Sequence, residues 1–246
     1  MILLLGGTSE TVQIAQALVK QGWEVLLSAA TTMASRGQMP AHVRVRCGML
    51  DEQGIEHLIR DEKITAVVDA THPYAEAVSQ NAYKACQATG VRYLAYERPC
   101  ASVEAVYRVP DHQSAAKQAF SFGMPVFLTI GVRNLAPYIT EARSYGIALK
   151  ARVLNHPDSV AACHDAGLSE REILCADGPF TVEENRSHMK GFGVLVTKDS
   201  GEAGGVDTKI KAARQSGCEV VVIERPKRPA SGYASVDSLV HALGPR

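Results

Sequence analysis

The stretch Ile2-Leu3-Leu4-Leu5-Gly6-Gly7-Thr8-Ser9-Glu10 decides the fold, because an apolar run breaks at two glycines, passes two hydroxyls and enters a segment of different periodicity. From residue 10 to residue 20 the apolar Val12, Ile14, Ala15 and Leu18 recur at near-helical spacing, so the reading is strand, tight turn, helix. Thr8 or Ser9 is the expected cap of that helix, and Gly22 its C-cap. A strand that is apolar throughout is covered on both faces, as in parallel sheets flanked by helices.

The same alternation continues along the chain. Candidate strands are 2–5, 24–28, 43–46, 64–69 and 92–95, then 125–130, 147–150, 172–175, 193–197 and 219–223. Thr71 precedes Pro73 and a helix expected over 74–88, with Gly90 as its C-cap; Pro73 and Pro179 are each placed at a first helical position. The pattern is interrupted between Arg98 and Asp111, which puts a domain junction near residue 100. The expectation is therefore an α/β protein of two Rossmann-like domains, 1–100 and 101–246, with parallel sheets flanked by helices and the active site in the cleft between them.

Composition narrows the function classes. Among 246 residues, Lys+Arg 26 balance Asp+Glu 26, which removes the electrostatic excess that a sequence-independent nucleic-acid binder or an anionic-membrane binder needs. The six cysteines show no C-x-x-C and no zinc-type spacing with histidine, so they read as reduced thiols in a cytoplasmic protein without a metal site. The apolar start lacks a basic flank and is too short for a signal segment, and no run approaches the roughly 20 apolar residues of a membrane span.

Several strand-end loops carry chemistry. Glycines at Gly6 and Gly7 let the backbone approach a pyrophosphate while Thr8, Ser9 and the helix start offer donors; the alternative is a plain tight βα turn. After the second strand there is no acidic ribose ligand. Ser28, Thr31 and Arg36 instead suit a 2′-phosphate, hence NADPH, unless Ser28 and Thr31 merely cap the next helix. In the sheet order 3-2-1-4-5 the fourth strand lies beside the first, so Thr71, His72 and Tyr74 converge where a nicotinamide would sit. His72 is then either a general acid or the cap of its own loop. In the second half the loops Thr129–Asn134, Asp177–Phe180 and Thr197–Gly205 all leave carboxyl ends of strands. No P-loop, H-E-x-x-H, G-x-S-x-G or Tyr-x-x-x-Lys pattern is present.

Taken in order, Leu4-Leu5-Gly6-Gly7-Thr8-Ser9-Glu10, Asp69-Ala70-Thr71-His72-Pro73-Tyr74-Ala75 with Asn81-Ala82, Tyr96-Glu97-Arg98-Pro99, Gly178-Pro179-Phe180 with Asn185, Thr197-Lys198-Asp199-Ser200-Gly201 with Gly204-Gly205 and Lys209, and Arg225-Pro226 resemble the precorrin-6A reductase family of cobalamin biosynthesis. The resemblance implies reduction of one double bond of a corrin-precursor macrocycle by NADPH, with the nucleotide mainly on the N-terminal domain. Under that reading Gly6, Gly7, Thr8 and Ser9 take the pyrophosphate, Ser28, Thr31 and Arg36 the adenosine phosphate, and Thr71, His72 and Tyr74 lie beside the nicotinamide. Arg133, Lys198, Ser200 and Lys209 are the expected partners of the tetrapyrrole carboxylates, and Pro179 and Phe180 its apolar contacts. An NADPH-dependent reductase of another small acid or enone, or a non-catalytic NADP sensor, shares the logic of the first domain.

Overall fold

A computed structural model describes residues 1–30, 39–97, 106–201 and 204–244. Thr31 and Arg36 lie outside the described residues. The chain forms two compact units, Met1–Pro99 with Pro226–Arg246, and Cys100–Arg225.

In the first unit β1 (Ile2–Leu5), β2 (Val25–Ala29), β3 (Val43–Cys47), β4 (Ala66–Asp69), β5 (Arg92–Tyr96) and the short β12 (Gly232–Tyr233) form one parallel sheet ordered β12-β5-β4-β1-β2-β3. Register places Leu5 opposite both Ser28 and Asp69, so the ends of three strands meet at one level. The helices α1 (Thr11–Lys20), α2 (Glu52–Asp61), α3 (Glu76–Thr89) and α9 (Val236–Leu243) belong to this unit. Alternate β1 residues serve opposite faces: Ile2 and Leu4 pack with Ile14 and Leu18 of α1 and Leu239 of α9, Leu3 and Leu5 with Ile55 of α2 and Ala82 of α3. The all-apolar run of β1 is thus explained, since all four residues are buried.

In the second unit β6 (Tyr107–Val109), β7 (Val126–Thr129), β8 (Leu149–Val153), β9 (Ile173–Cys175), β10 (Val194–Lys198) and β11 (Glu219–Ile223) form a parallel sheet ordered β6-β11-β10-β7-β8-β9. Its helices are α4 (His112–Ser121), α5 (Ala136–Tyr145), α6 (Pro157–Asp165), α7 (Val182–His188) and α8 (Val206–Gln215). Each unit therefore carries a 3-2-1-4-5 core plus one edge strand. The topological switch points lie between β1 and β4, and between β7 and β10.

The ten expected strands all form, within a few residues of the expected ends. The two edge strands β6 and β12 escape the reading because three and two residues are too few to show a periodicity. The last twenty-one residues were placed with the second domain, but they return to the first unit: β12 pairs with β5 and α9 packs on α1. Apolar Val236, Leu239, Val240 and Leu243 need a face to bury, and the first sheet supplies it.

The helix starts also differ from expectation. Glu10, not Thr8 or Ser9, stands at the N-cap of α1, and no side chain caps it. Helix α3 begins only at Glu76 and α7 at Val182, behind Thr181, so Pro73 and Pro179 lie in the preceding loops. In α7 a reciprocal pair of hydrogen bonds between Thr181 and Glu184 caps the helix better than a proline would, which moves its start downstream. Gly90 does end α3 in a left-handed conformation, as expected of a C-cap glycine.

Candidate active site

The carboxyl end of β1 turns sharply at Gly6 and Gly7. A Cβ on Gly6 would lie 2.6 Å from Leu27 Cδ1 and 2.7 Å from Thr11 Cγ2, and Gly7 has φ +142° with open space beside it. Only glycine satisfies both positions. Buried Thr11 holds the turn, its Oγ1 accepting from the N–H groups of Gly7 and Thr8 at 3.2 Å each. Thr8 Oγ1 donates to the Ala70 carbonyl at 3.1 Å, which ties the loop after β1 to the loop after β4 across the switch point. The result is a partly exposed glycine turn at the start of α1, whose N-terminal end favours an anion.

At the end of β2, Ser28 is 6% exposed and accepts a 2.8 Å hydrogen bond from Arg46 Nη1. Arg46 sits opposite Ser28 in the β2–β3 register and also donates to the Gly48 carbonyl at 3.1 Å. The expected cation beside Ser28 was Arg36, a nearby residue in sequence; among the described residues it is Arg46, one strand further on. Nothing local marks Arg46, because its position depends on the pairing register of β3.

Behind the loop after β4 lies a buried polar knot. Asp69, fully buried, accepts from the Thr71 N–H at 2.9 Å and from Thr71 Oγ1, Ser79 Oγ and Tyr93 OH at 2.6 Å each. Arg228 Nη1 adds a 2.7 Å ion pair to the same carboxylate, and its Nη2 donates to the Thr71 carbonyl at 2.9 Å. Burial first, and then the Asp69 charge, push the Tyr93 phenol up, so it stays a donor. Of the expected trio Thr71, His72 and Tyr74, Thr71 faces inward into this knot while exposed His72 and half-buried Tyr74 face out, ring centroids 5.7 Å apart. Thr71 is thus a structural member of the loop, and His72 and Tyr74 are the groups it presents. The sequence reading missed Tyr93 and Arg228, which are remote in sequence from Asp69 and meet it only through the fold.

In the second unit the expected residues fall into two groups. Lys198, on the strand face opposite to Thr197, lies near Arg133 and His112. Burial first, then the Arg133 charge, lower the Lys198 ammonium. His112 bonds Tyr138 OH through Nδ1 at 3.0 Å, and burial, followed by the Lys198 charge, brings it down to about 4. Next to Lys198, buried Asp199 takes Arg108 Nη1 and Arg225 Nη2 at 3.2 Å each, while Arg225 Nε donates to its carbonyl at 2.6 Å. Ser200 closes against Gly204, where any Cβ would collide with the serine side chain. The second group, Phe180 and Lys209, gathers around Arg152, whose guanidinium stacks 4.1 Å from the Phe180 ring centroid. Pro179 is exposed beside them.

His112 carries a testable consequence. Its folded pKa lies below the ordinary 6.5, so its contribution to stability is complete above about pH 6.5 and is lost as pH falls toward 4. Titration by histidine NMR is expected to show His112 neutral at pH 5; a midpoint near 6.5 would contradict its burial beside Lys198.

A family model described as Precorrin-6x reductase CbiJ/CobK matches residues 1–244. The cobalt-precorrin-6A reductase of Priestia megaterium is 34% identical over 249 residues, covering 99% of this chain and 98% of the relative. The precorrin-6A reductase of Rhodobacter capsulatus is 32% identical, covering 93% and 89%. A solved structure, CobK precorrin-6A reductase, superposes with a TM-score of 0.79 at 29% identity over 100% of this chain and 98% of that one.

Proposed function

The chain belongs to the precorrin-6x reductase family, and on that premise we propose that it uses NADPH to reduce one double bond of precorrin-6A or its cobalt complex in cobalamin biosynthesis. The oxidised and reduced forms of the macrocycle differ by two electrons and two protons. A bound dihydronicotinamide would supply the hydride, with the balancing proton drawn from solvent, and Gly6, Gly7, Ser28 and Arg46 are the described residues that would hold the dinucleotide.

The observation that carries the cofactor reading is the pairing of a glycine-only turn over α1 with a cation fixed at the end of β2. The turn fits a pyrophosphate, because Gly6 and Gly7 leave the backbone uncovered and Thr11 holds it open. Arg46, locked against Ser28, fits a 2′-phosphate, whereas NAD-specific sites place a carboxylate there. His72 and Tyr74, presented by the Asp69 knot, support the ring end of the dinucleotide. Lys198, Arg133 and Lys209 support binding of the macrocycle carboxylates, and Phe180 offers an apolar ring.

The test is anaerobic turnover of enzymatically prepared precorrin-6A and of its cobalt complex, following NADPH loss and the macrocycle spectrum together. One equivalent of NADPH consumed per macrocycle is expected. Tight NADPH binding with neither macrocycle reduced would favour the sensor reading, and preference for NADH would remove the role given to Arg46.

A further inference from the structure

At the end of the second sheet lie two cations, buried Arg152 and half-buried Lys209, that have no carboxylate partner among the described residues. In the β7–β10 register Thr129 stands opposite Thr197, and the β7–β8 register, continued by one residue, sets Arg152 on the other side of Thr129. Lateral neighbours in a parallel sheet project to the same face. Two residues earlier on that face, Phe127 and Leu195 pack against Val206 and Ile210 of α8. The row Arg152, Thr129, Thr197 therefore lies on the sheet face covered by α8, whose first turn carries Lys209, and by α7, whose Asn185 and His188 bond Arg152.

Arg152 is only 6% exposed, and its hydrogen-bond partners are neutral acceptors: Asn185 Oδ1 at 2.9 Å and His188 Nδ1 at 3.1 Å. Lys209 Nζ donates to the Gly204 carbonyl at 2.9 Å. Among the described residues neither cation has a carboxylate partner; burial, followed by the Arg152 charge, lowers Lys209 to about 8, and burial lowers Arg152. Holding two like charges away from water is costly unless an opposite charge joins them. Thr197 adds an independent observation, for its hydroxyl is completely buried and has no hydrogen-bond partner. Thr129 differs, its hydroxyl being used by the Val196 carbonyl. Helix α8 begins behind Gly205 with no side chain capping it, so the positive end of its dipole faces the same place.

We propose that Arg152, Thr197 and Lys209 form a receptor for a single carboxylate, beneath the partly exposed Phe180 ring that stacks on the guanidinium. Two cations, one hydroxyl and one helix start match a monoanion with two acceptor oxygens. That this carboxylate is an acid side arm of the macrocycle rests on the reductase reading; the anion site does not.

Two measurements separate those statements. His188 touches Arg152 and also faces Glu184, so its imidazole reports charge arriving at the guanidinium. Histidine NMR of the whole protein, with the His188 signal assigned by its absence in His188→Gln, is run with sodium propionate against sodium chloride at equal ionic strength. A rise of the His188 midpoint with propionate, abolished by Lys209→Met, is expected. No response, a response matched by chloride, or binding of inorganic phosphate in preference to propionate overturns the carboxylate receptor. In the turnover assay the near-isosteric Thr197→Val is expected to raise KM for the macrocycle about tenfold, roughly 1.4 kcal/mol, with kcat and NADPH affinity within twofold of wild type. A KM equal to wild type overturns the side-arm assignment. Absence of turnover in the wild type removes the reductase reading and leaves the propionate experiment to decide the anion site.

Discussion

Replacing Arg228 by alanine is expected to lower the unfolding free energy by about 3–5 kcal/mol, because it removes the cation paired with a fully buried carboxylate. The pair is enclosed: the Arg228 side chain is 7% exposed and that of Asp69 is 0%. Three hydroxyls remain on the carboxylate, which places the effect toward the lower end of that range. Urea denaturation with a double-mutant cycle over Arg228→Met and Asp69→Asn checks the mechanism. If the double variant is no more stable than the sum of the singles predicts, the two side chains are not coupled and the account is wrong. A functional consequence accompanies the structural one. Arg228 also holds the Thr71 carbonyl, so the loop presenting His72 and Tyr74 loses one of its anchors. Dinucleotide affinity in Arg228→Lys should then recover part of what Arg228→Met loses, since a lysine can restore one of the two contacts.

Arg46→Ala is expected to reduce NADPH affinity by roughly 10- to 100-fold, about 1.4–2.8 kcal/mol, and to leave NADH affinity nearly unchanged. That range is what a charge-assisted hydrogen bond to a phosphate contributes when it is removed. The guanidinium is already oriented by Ser28 and the Gly48 carbonyl, so little side-chain entropy is lost on binding. Arg46→Glu should go further and repel the 2′-phosphate while offering a ribose hydroxyl an acceptor. Calorimetry with both dinucleotides reads the effect. Parallel losses for NADPH and NADH would mean that Arg46 supports the sheet edge and does not contact the 2′ position.

Much of the architecture was legible from short patterns. The apolar runs Ile2–Leu5, Ala66–Val68 and Val194–Val196 could be recognised because the part of a strand covered on both faces is apolar without alternation. Gly6 and Gly7 were legible for a related reason: a Cβ on Gly6 would meet Leu27 and Thr11, and the φ of Gly7 favours glycine. The resemblance of the ordered motifs to a known family then carried a substrate class, which no periodicity encodes.

What was not legible depends on which strands lie side by side. Arg46 reaches Ser28 through the register of β2 and β3, Arg228 reaches Asp69 from 159 positions away, and Arg152 on β8 meets Lys209 on α8 only through the packing of the folded second unit. The helix caps were misplaced at Pro73 and Pro179 because loops of several residues absorb the turn before the first helical hydrogen bond forms. Local chemistry by itself determined the elements, the sheet class and the glycine turn, since these follow from side-chain periodicity and backbone sterics within a few residues. Only the tertiary structure decided the return of the last twenty-one residues to the first sheet and the partners of the buried charges, because burial and pairing are set by what the folded chain brings together across long sequence separations.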